Sequence, residues 1–188
     1  LASNSPGNTT GEAIIPFECE NPDYGIMEKD NELYIVKGHP HKDQIFSTNT
    51  LDQATADSLT SEQGVVLNSG SYYLTEDITI DHLCFGEFGS GEDLVIDLCL
   101  NGHTINMTGY ASTWVSSVIN IHDCKGSGCI TSDFSDSDAQ YSQGSVLWVN
   151  VADSVLNLYG GTIKSTGAYG ILAEAGTVNL YGGTVIGD

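Results

Sequence analysis

Asp133, Asp136 and Asp138 fall close together in a polar stretch running from Ser132 to Gln143. Three carboxylates on one loop are hard oxygen donors of the kind Ca2+ takes. They are the chain's candidate metal ligands, and Ca2+ is the only cofactor it suggests. The run has neither the central glycine nor the distal glutamate of an EF-hand loop. Glu87, Glu92 and Asp93 form a second acidic loop among Gly86, Gly89 and Gly91. His39-Pro40-His41 offers two imidazoles, which as a surface turn supply too few ligands for a zinc site.

The residue types are poor for hydrolysis or elimination. A glycosidase needs a pair of carboxylates flanking the scissile bond. Asp97 could supply one, but the equivalent positions downstream hold Asn120 and Asn157. Elimination on a uronate needs a strong base, and the five basic residues are all lysines, of which only Lys125 and Lys164 lie in the repetitive part. No residue is assigned a catalytic role. Tyr159 and Tyr181, with Asn157 and Asn179 beside them, are the candidate binding residues. Outward rings can bind sugars or partner proteins, and they can equally stack on one another. Of five cysteines, Cys124 has two candidate partners. Cys129 closes a tight Lys-Gly-Ser-Gly turn with it, while Cys99 lies about one coil upstream. Burial as small apolar residues competes with both.

The elements that hold these residues follow from an internal repeat. Ser154-Val155-Leu156-Asn157-Leu158-Tyr159-Gly160-Gly161-Thr162-Ile163 returns as Gly176-Thr177-Val178-Asn179-Leu180-Tyr181-Gly182-Gly183-Thr184-Val185, a spacing of 22 residues. Val118-Ile119-Asn120-Ile121 and Val95-Ile96-Asp97-Leu98 are earlier copies. Apolar and polar residues alternate within each unit, which is strand periodicity. Ile96/Leu98, Ile119/Ile121, Leu156/Leu158 and Val178/Leu180 are expected inward; Asp97, Asn120, Asn157 and Asn179 are expected outward as a ladder. The outward set is expected to tolerate alanine within about 1 kcal/mol. Each unit holds three short strands, so the fold is all-β, a parallel β-helix solenoid of coils about 22 residues long. A leucine-rich repeat has a similar period, but the Val-Asn-Leu-Tyr-Gly-Gly-Thr order does not fit it.

The organisation follows. Residues 1–11 read as a linker or disordered N-terminus. Residues 12–64 read as a small mixed capping segment, with a strand at Glu32–Val36 and a short helix near 49–63, N-capped by Thr48 or Asn49 and stopped by Gly64. Residues 65–188 are the β-helix. Asn120 and Asn157 are further apart than one coil, which places an inserted loop near 132–143. Gly187-Asp188 supplies no helix, bulge or proline to blunt the last coil, so its open edge is expected to meet a continuing chain or another copy.

Gly70-Ser71-Tyr72-Tyr73-Leu74-Thr75-Glu76-Asp77-Ile78-Thr79-Ile80, Cys99-Leu100-Asn101-Gly102-His103-Thr104-Ile105 and Asp123-Cys124-Lys125-Gly126-Ser127-Gly128-Cys129-Ile130-Thr131 resemble the right-handed parallel β-helix (pectate-lyase-like) repeats of bacterial cell-surface proteins. The resemblance covers residues 65–188. It implies a right-handed coil, export and a cell-surface setting. It implies no single activity, since such repeats serve adhesion and sugar binding alike.

Composition narrows the partners. Twenty-five acidic residues against five basic ones give a formal charge of −20. Nucleic acid and anionic membranes would be repelled, and no run of apolar residues is long enough to insert as a helix. Glycans, host proteins and Ca2+ remain compatible. Asn8 and Asn106 each begin an N-glycosylation triplet. The functional expectation is a secreted or cell-surface, non-enzymatic structural or adhesive module, a β-helical segment of a surface protein or fibre able to associate end to end. The alternative is a carbohydrate-binding or polysaccharide-degrading β-helix.

Overall fold

Strands too short to make a stable hairpin with their neighbours can still stack on their counterparts one coil later, where every backbone group finds a partner. This is what the chain does. The computed structural model describes residues 24–29, 32–37, 39–40, 46–47, 49–91, 93–134, 144–167 and 169–188. At the start, β1 (Tyr24–Lys29) and β2 (Glu32–Lys37) form an antiparallel pair, as do β3 (His39–Pro40) and β4 (Phe46–Ser47). Then come β5 (Asn49–Leu51), α1 (Gln53–Ser58) and β6 (Thr60–Ser61).

Five coils of three strands follow. The first holds β7 (Gly64–Leu67), β8 (Gly70–Leu74) and β9 (Ile78–Ile80). The second holds β10 (Leu83–Phe85), β11 (Leu94–Cys99) and β12 (Thr104–Met107). The third holds β13 (Ala111–Thr113), β14 (Ser117–His122) and β15 (Cys129–Ser132). The fourth holds β16 (Leu147–Val149), β17 (Val155–Leu158) and β18 (Thr162–Ser165). The fifth holds β19 (Ile171–Ala173), β20 (Thr177–Leu180) and β21 (Thr184–Ile186). Equivalent strands pair in parallel and build three sheets: β7-β10-β13-β16-β19, extended by β6; β8-β11-β14-β17-β20, extended by β5; and β9-β12-β15-β18-β21.

The register matches the repeat read from the sequence. Asp97 pairs with Asn120, Asn120 with Asn157, and Asn157 with Asn179. The spacing along that ladder is 23, 37 and then 22 residues. The long interval arises between β15, which ends at Ser132, and β16, which begins at Leu147. Residues 135–143 of that connection lie outside the described residues.

Inward positions stack into rows. Ile96, Ile119 and Leu156 are fully buried, as are Leu98, Ile121 and Leu158. Leu180 continues the second row by register but is 61% exposed. The expectation of burial fails there because the fifth coil has a neighbour on one side only. The corner after β17 requires glycine: Gly161 has φ +85°, and a Cβ on it would meet Leu100 Cδ1 at 2.6 Å.

The N-terminal part differs from its reading in one respect. Asn49–Leu51 is a strand on β8, and the helix occupies only Gln53–Ser58. Its N-cap is Asp52, whose Oδ1 accepts from Thr55 N at 2.7 Å. Alanines and polar residues over 49–63 fit a helix by propensity, but pairing with β8 claims the first three positions. Thr60 and Ser61 then pair antiparallel with β7.

Candidate functional site

In the first sheet two neighbouring outward residues are small. Cys84 and Ser112 are register partners at the outward position of β10 and β13, and Trp148 stands next in that column on β16. The strands arrive through His82 and Tyr110 and leave the third coil through Trp114. The result is a cleft of about 370 Å3, lined by Thr60, Glu62, Gln63, His82, Tyr110 and Trp114 above the buried Cys84 and Ser112. Its rings brace one another, edge-on in all but the tilted Tyr110–Phe134 pair. His82 and Tyr110 have centroids 4.8 Å apart at 89°, and Tyr110 also meets Phe134 at 5.6 Å and Trp148 at 6.1 Å. Phe88 packs edge-on against Trp114 at 5.5 Å. A glycine at 109 is needed for this arrangement, because a Cβ there would lie 2.5 Å from His82 Nε2.

Two polar atoms of the cleft are left over. Gln63 Oε1 and Trp114 Nε1 are buried and have no hydrogen-bond partner among the described residues. Trp114 Nε1 lies near the Cys84 sulfur, which it would favour as a thiolate; burial nevertheless pushes that thiol up to about 11, so a protonated sulfur faces the indole. The Cys84 thiol itself donates to Gln63 O at 3.1 Å. A buried acceptor and a buried donor among the residues lining an aromatic cleft suit a ligand that offers both hydroxyl and apolar faces.

At the rim, Asp81 is fixed. Its Oδ1 accepts from Thr108 Oγ1 at 2.7 Å, and its Oδ2 lies 3.1 Å from His82 Nδ1. The hydrogen bond from the Thr108 hydroxyl holds the carboxyl below its ordinary value; burial opposes it less strongly, and His82 adds a further lowering. Asp81 is therefore an ionised acceptor near neutral pH and a poor proton donor.

The residues singled out from the sequence lie on other faces. Asn157 and Asn179 are brought together in a directional amide chain. Asn179 Nδ2 donates to Asn157 Oδ1 at 2.9 Å, Asn157 Nδ2 to Asn120 Oδ1 at 2.8 Å, and Asn120 Nδ2 to Asp97 Oδ1 at 2.8 Å. Ser71 Oγ donates to the other Asp97 oxygen at 3.3 Å. Asp97 thus ends a stack of amides, as an acceptor-only group should. Tyr159 and Tyr181 stack face to face at 4.9 Å and 12°, and His122 extends the stack at 4.7 Å from Tyr159.

Asp133 is exposed on the chain leaving β15, while Asp136 and Asp138 lie outside the described residues, as do Glu92 and His41. Among the described residues no group of three His, Cys, Asp or Glu stands together as a metal site, and no helix is long and apolar enough to cross a membrane. Cys124, for which the sequence left two partners open, has its Sγ 3.5 Å from that of Cys99. Cys129 sits on β15 near Lys164, its thiol raised by burial and partly relieved by that lysine.

His82, Tyr110, Trp114 and Trp148 were not legible as a site. The chain's two tryptophans were the available signal, but their coils depart from the 22-residue spacing that made the tyrosines conspicuous. The fold and these faces define the class, a three-sided parallel β-solenoid of five coils. No family model, curated protein or solved structure matches the chain.

Proposed function

We propose that this chain is a non-enzymatic extracellular adhesive module, a β-helical rod of a surface protein or fibre that holds neutral glycans in the cleft between His82, Tyr110 and Trp114. The observation that carries the reading is a pair of buried polar atoms, Gln63 Oε1 and Trp114 Nε1, with no hydrogen-bond partner of good geometry among the described residues, inside an aromatic cleft. Sugar rings offer apolar C–H faces to aromatic rings and hydroxyls to leftover donors and acceptors. A volume of about 370 Å3 accepts one or two rings, at the lower end of the usual ligand-site range. The charge of −20 favours neutral over acidic sugars. The resemblance of residues 65–188 to β-helical repeats of bacterial surface proteins supports the extracellular setting. A non-enzymatic role accords with an Asp81 held ionised and an Asp97 occupied by its ladder.

A glycan array probed with the full chain, paired with a reducing-sugar assay, tests this. The expected result is saturable binding of neutral glycans, weakened at least about tenfold by Trp114→Ala, without release of reducing ends. Binding unaffected by Trp114→Ala, or turnover lost in Asp97→Asn, would overturn it; the latter would favour a hydrolytic β-helix.

A further inference from the structure

Cys99 ends β11 in the second coil, and Cys124 follows β14 in the third. Their sulfurs are 3.5 Å apart, although the residues are separated by 25 positions. A disulfide requires about 2 Å between sulfurs, so closing the gap takes only small side-chain rotations. The turn that carries Cys124 is already clamped to the coil below. Asp123 Oδ1 accepts from Gly102 N at 2.8 Å, and Asp123 Oδ2 accepts from Gly128 N at 2.7 Å. Cys99 is fully buried, whereas Cys124 is exposed. One sulfur is therefore open to an oxidant, and the other waits against it.

We propose that Cys99 and Cys124 form a redox-responsive disulfide that staples the second coil to the third, made by exchange with a small soluble disulfide such as oxidised glutathione. Cys124, as thiolate, attacks one glutathione sulfur and expels the other as a glutathione thiolate. Cys99 then loses its proton and attacks the Cys124 sulfur of the mixed disulfide, expelling the second glutathione. The two protein thiols are oxidised, the two protons pass to the departing thiolates, and one glutathione disulfide is reduced to two thiols. The Cys99 thiol is pushed up by its contact with Cys124 and by burial; the contact is consumed once Cys124 carries glutathione, burial remains, and linkage should quicken as pH rises. The inference rests on the coil geometry and is independent of the glycan reading.

The experiment uses the full chain, equilibrated with reduced or oxidised glutathione, alkylated and mapped by mass spectrometry. The expected product is a Cys99–Cys124 linked peptide in the oxidised sample, with all five cysteines alkylated in the reduced one. Oxidation should raise the melting temperature by roughly 5–10 °C in the native chain and in Cys129→Ser, but not in Cys124→Ser. Cys124 is exposed, so that variant is expected to fold even if substitution of the buried Cys99 does not. A Cys124–Cys129 linkage, or Cys124 held as a stable glutathione adduct with Cys99 alkylated, would overturn the proposal.

Discussion

At the scale of single residues, the ladder from Asn179 to Asp97 differs from a solvated polar row. Asn157 is buried and uses its Nδ2 and its Oδ1 in the stack. Asn157→Ala removes both bonds and leaves the amides of Asn120 and Asn179 each short of a partner. The expected loss is about 1–3 kcal/mol by chemical denaturation, more than the 1 kcal/mol expected of an outward side chain. Asn179→Ala breaks one bond in the last coil and should cost under about 1 kcal/mol. Equal small losses at both positions would contradict the ladder. Asp81 gives a pH test. Its folded pKa is lowered from 3.8 by Thr108 and His82, so its contribution is present above 3.8 and lost as pH falls through the lower folded value. Asp52 follows the same sign through its cap on Thr55. Thermal melts between about pH 2 and 6 should show a shallower acid loss in Asp81→Asn than in the native chain. An unchanged slope would show that Asp81 contributes nothing to acid stability.

At the scale of elements, the coil register makes one residue type mean different things along one row. Leu158→Ala opens a cavity between two coils and should cost about 2–5 kcal/mol. Leu180→Ala, in the same row but 61% exposed, should cost less than about 1 kcal/mol. Comparable losses would show that the fifth coil is covered. What the sequence revealed follows the same logic. Strand alternation and the recurring Asn-Leu-Tyr-Gly-Gly are local signals, so the ladder register, the buried Ile121 and Leu158 and the tyrosine stack were legible. The helix was over-extended because propensity cannot see that Asn49–Leu51 pairs with β8. The cleft was invisible because its walls, His82, Tyr110 and Trp114, stand just outside strands of unequal coils. Only the three-dimensional register sets those residues side by side, and only burial shows that Trp114 Nε1 lacks a partner among the described residues.

At the scale of the whole molecule, three continuous sheets make a rod with different chemistry on each side. Its last coil presents Leu180, Tyr181, Val185 and Ile186 beside strand edges that no later strand of this sequence pairs. If copies of the chain associate, these exposed apolar side chains are the expected contact. The charge of −20 opposes contact, so association should grow with salt as well as concentration. Light scattering would show this, and Leu180→Lys should suppress it; association unchanged in Leu180→Lys would contradict it. The lateral face holds the proposed glycan cleft, and the chain's two tryptophans both stand on it. Tryptophan fluorescence during titration with neutral oligosaccharides reads it most directly. Saturable quenching or a blue shift is expected with neutral sugars and not with matched uronic-acid oligomers, retained in Tyr181→Ala and lost in Tyr110→Ala. A signal indifferent to every neutral sugar, or one lost in Tyr181→Ala and kept in Tyr110→Ala, would contradict the cleft as the binding site.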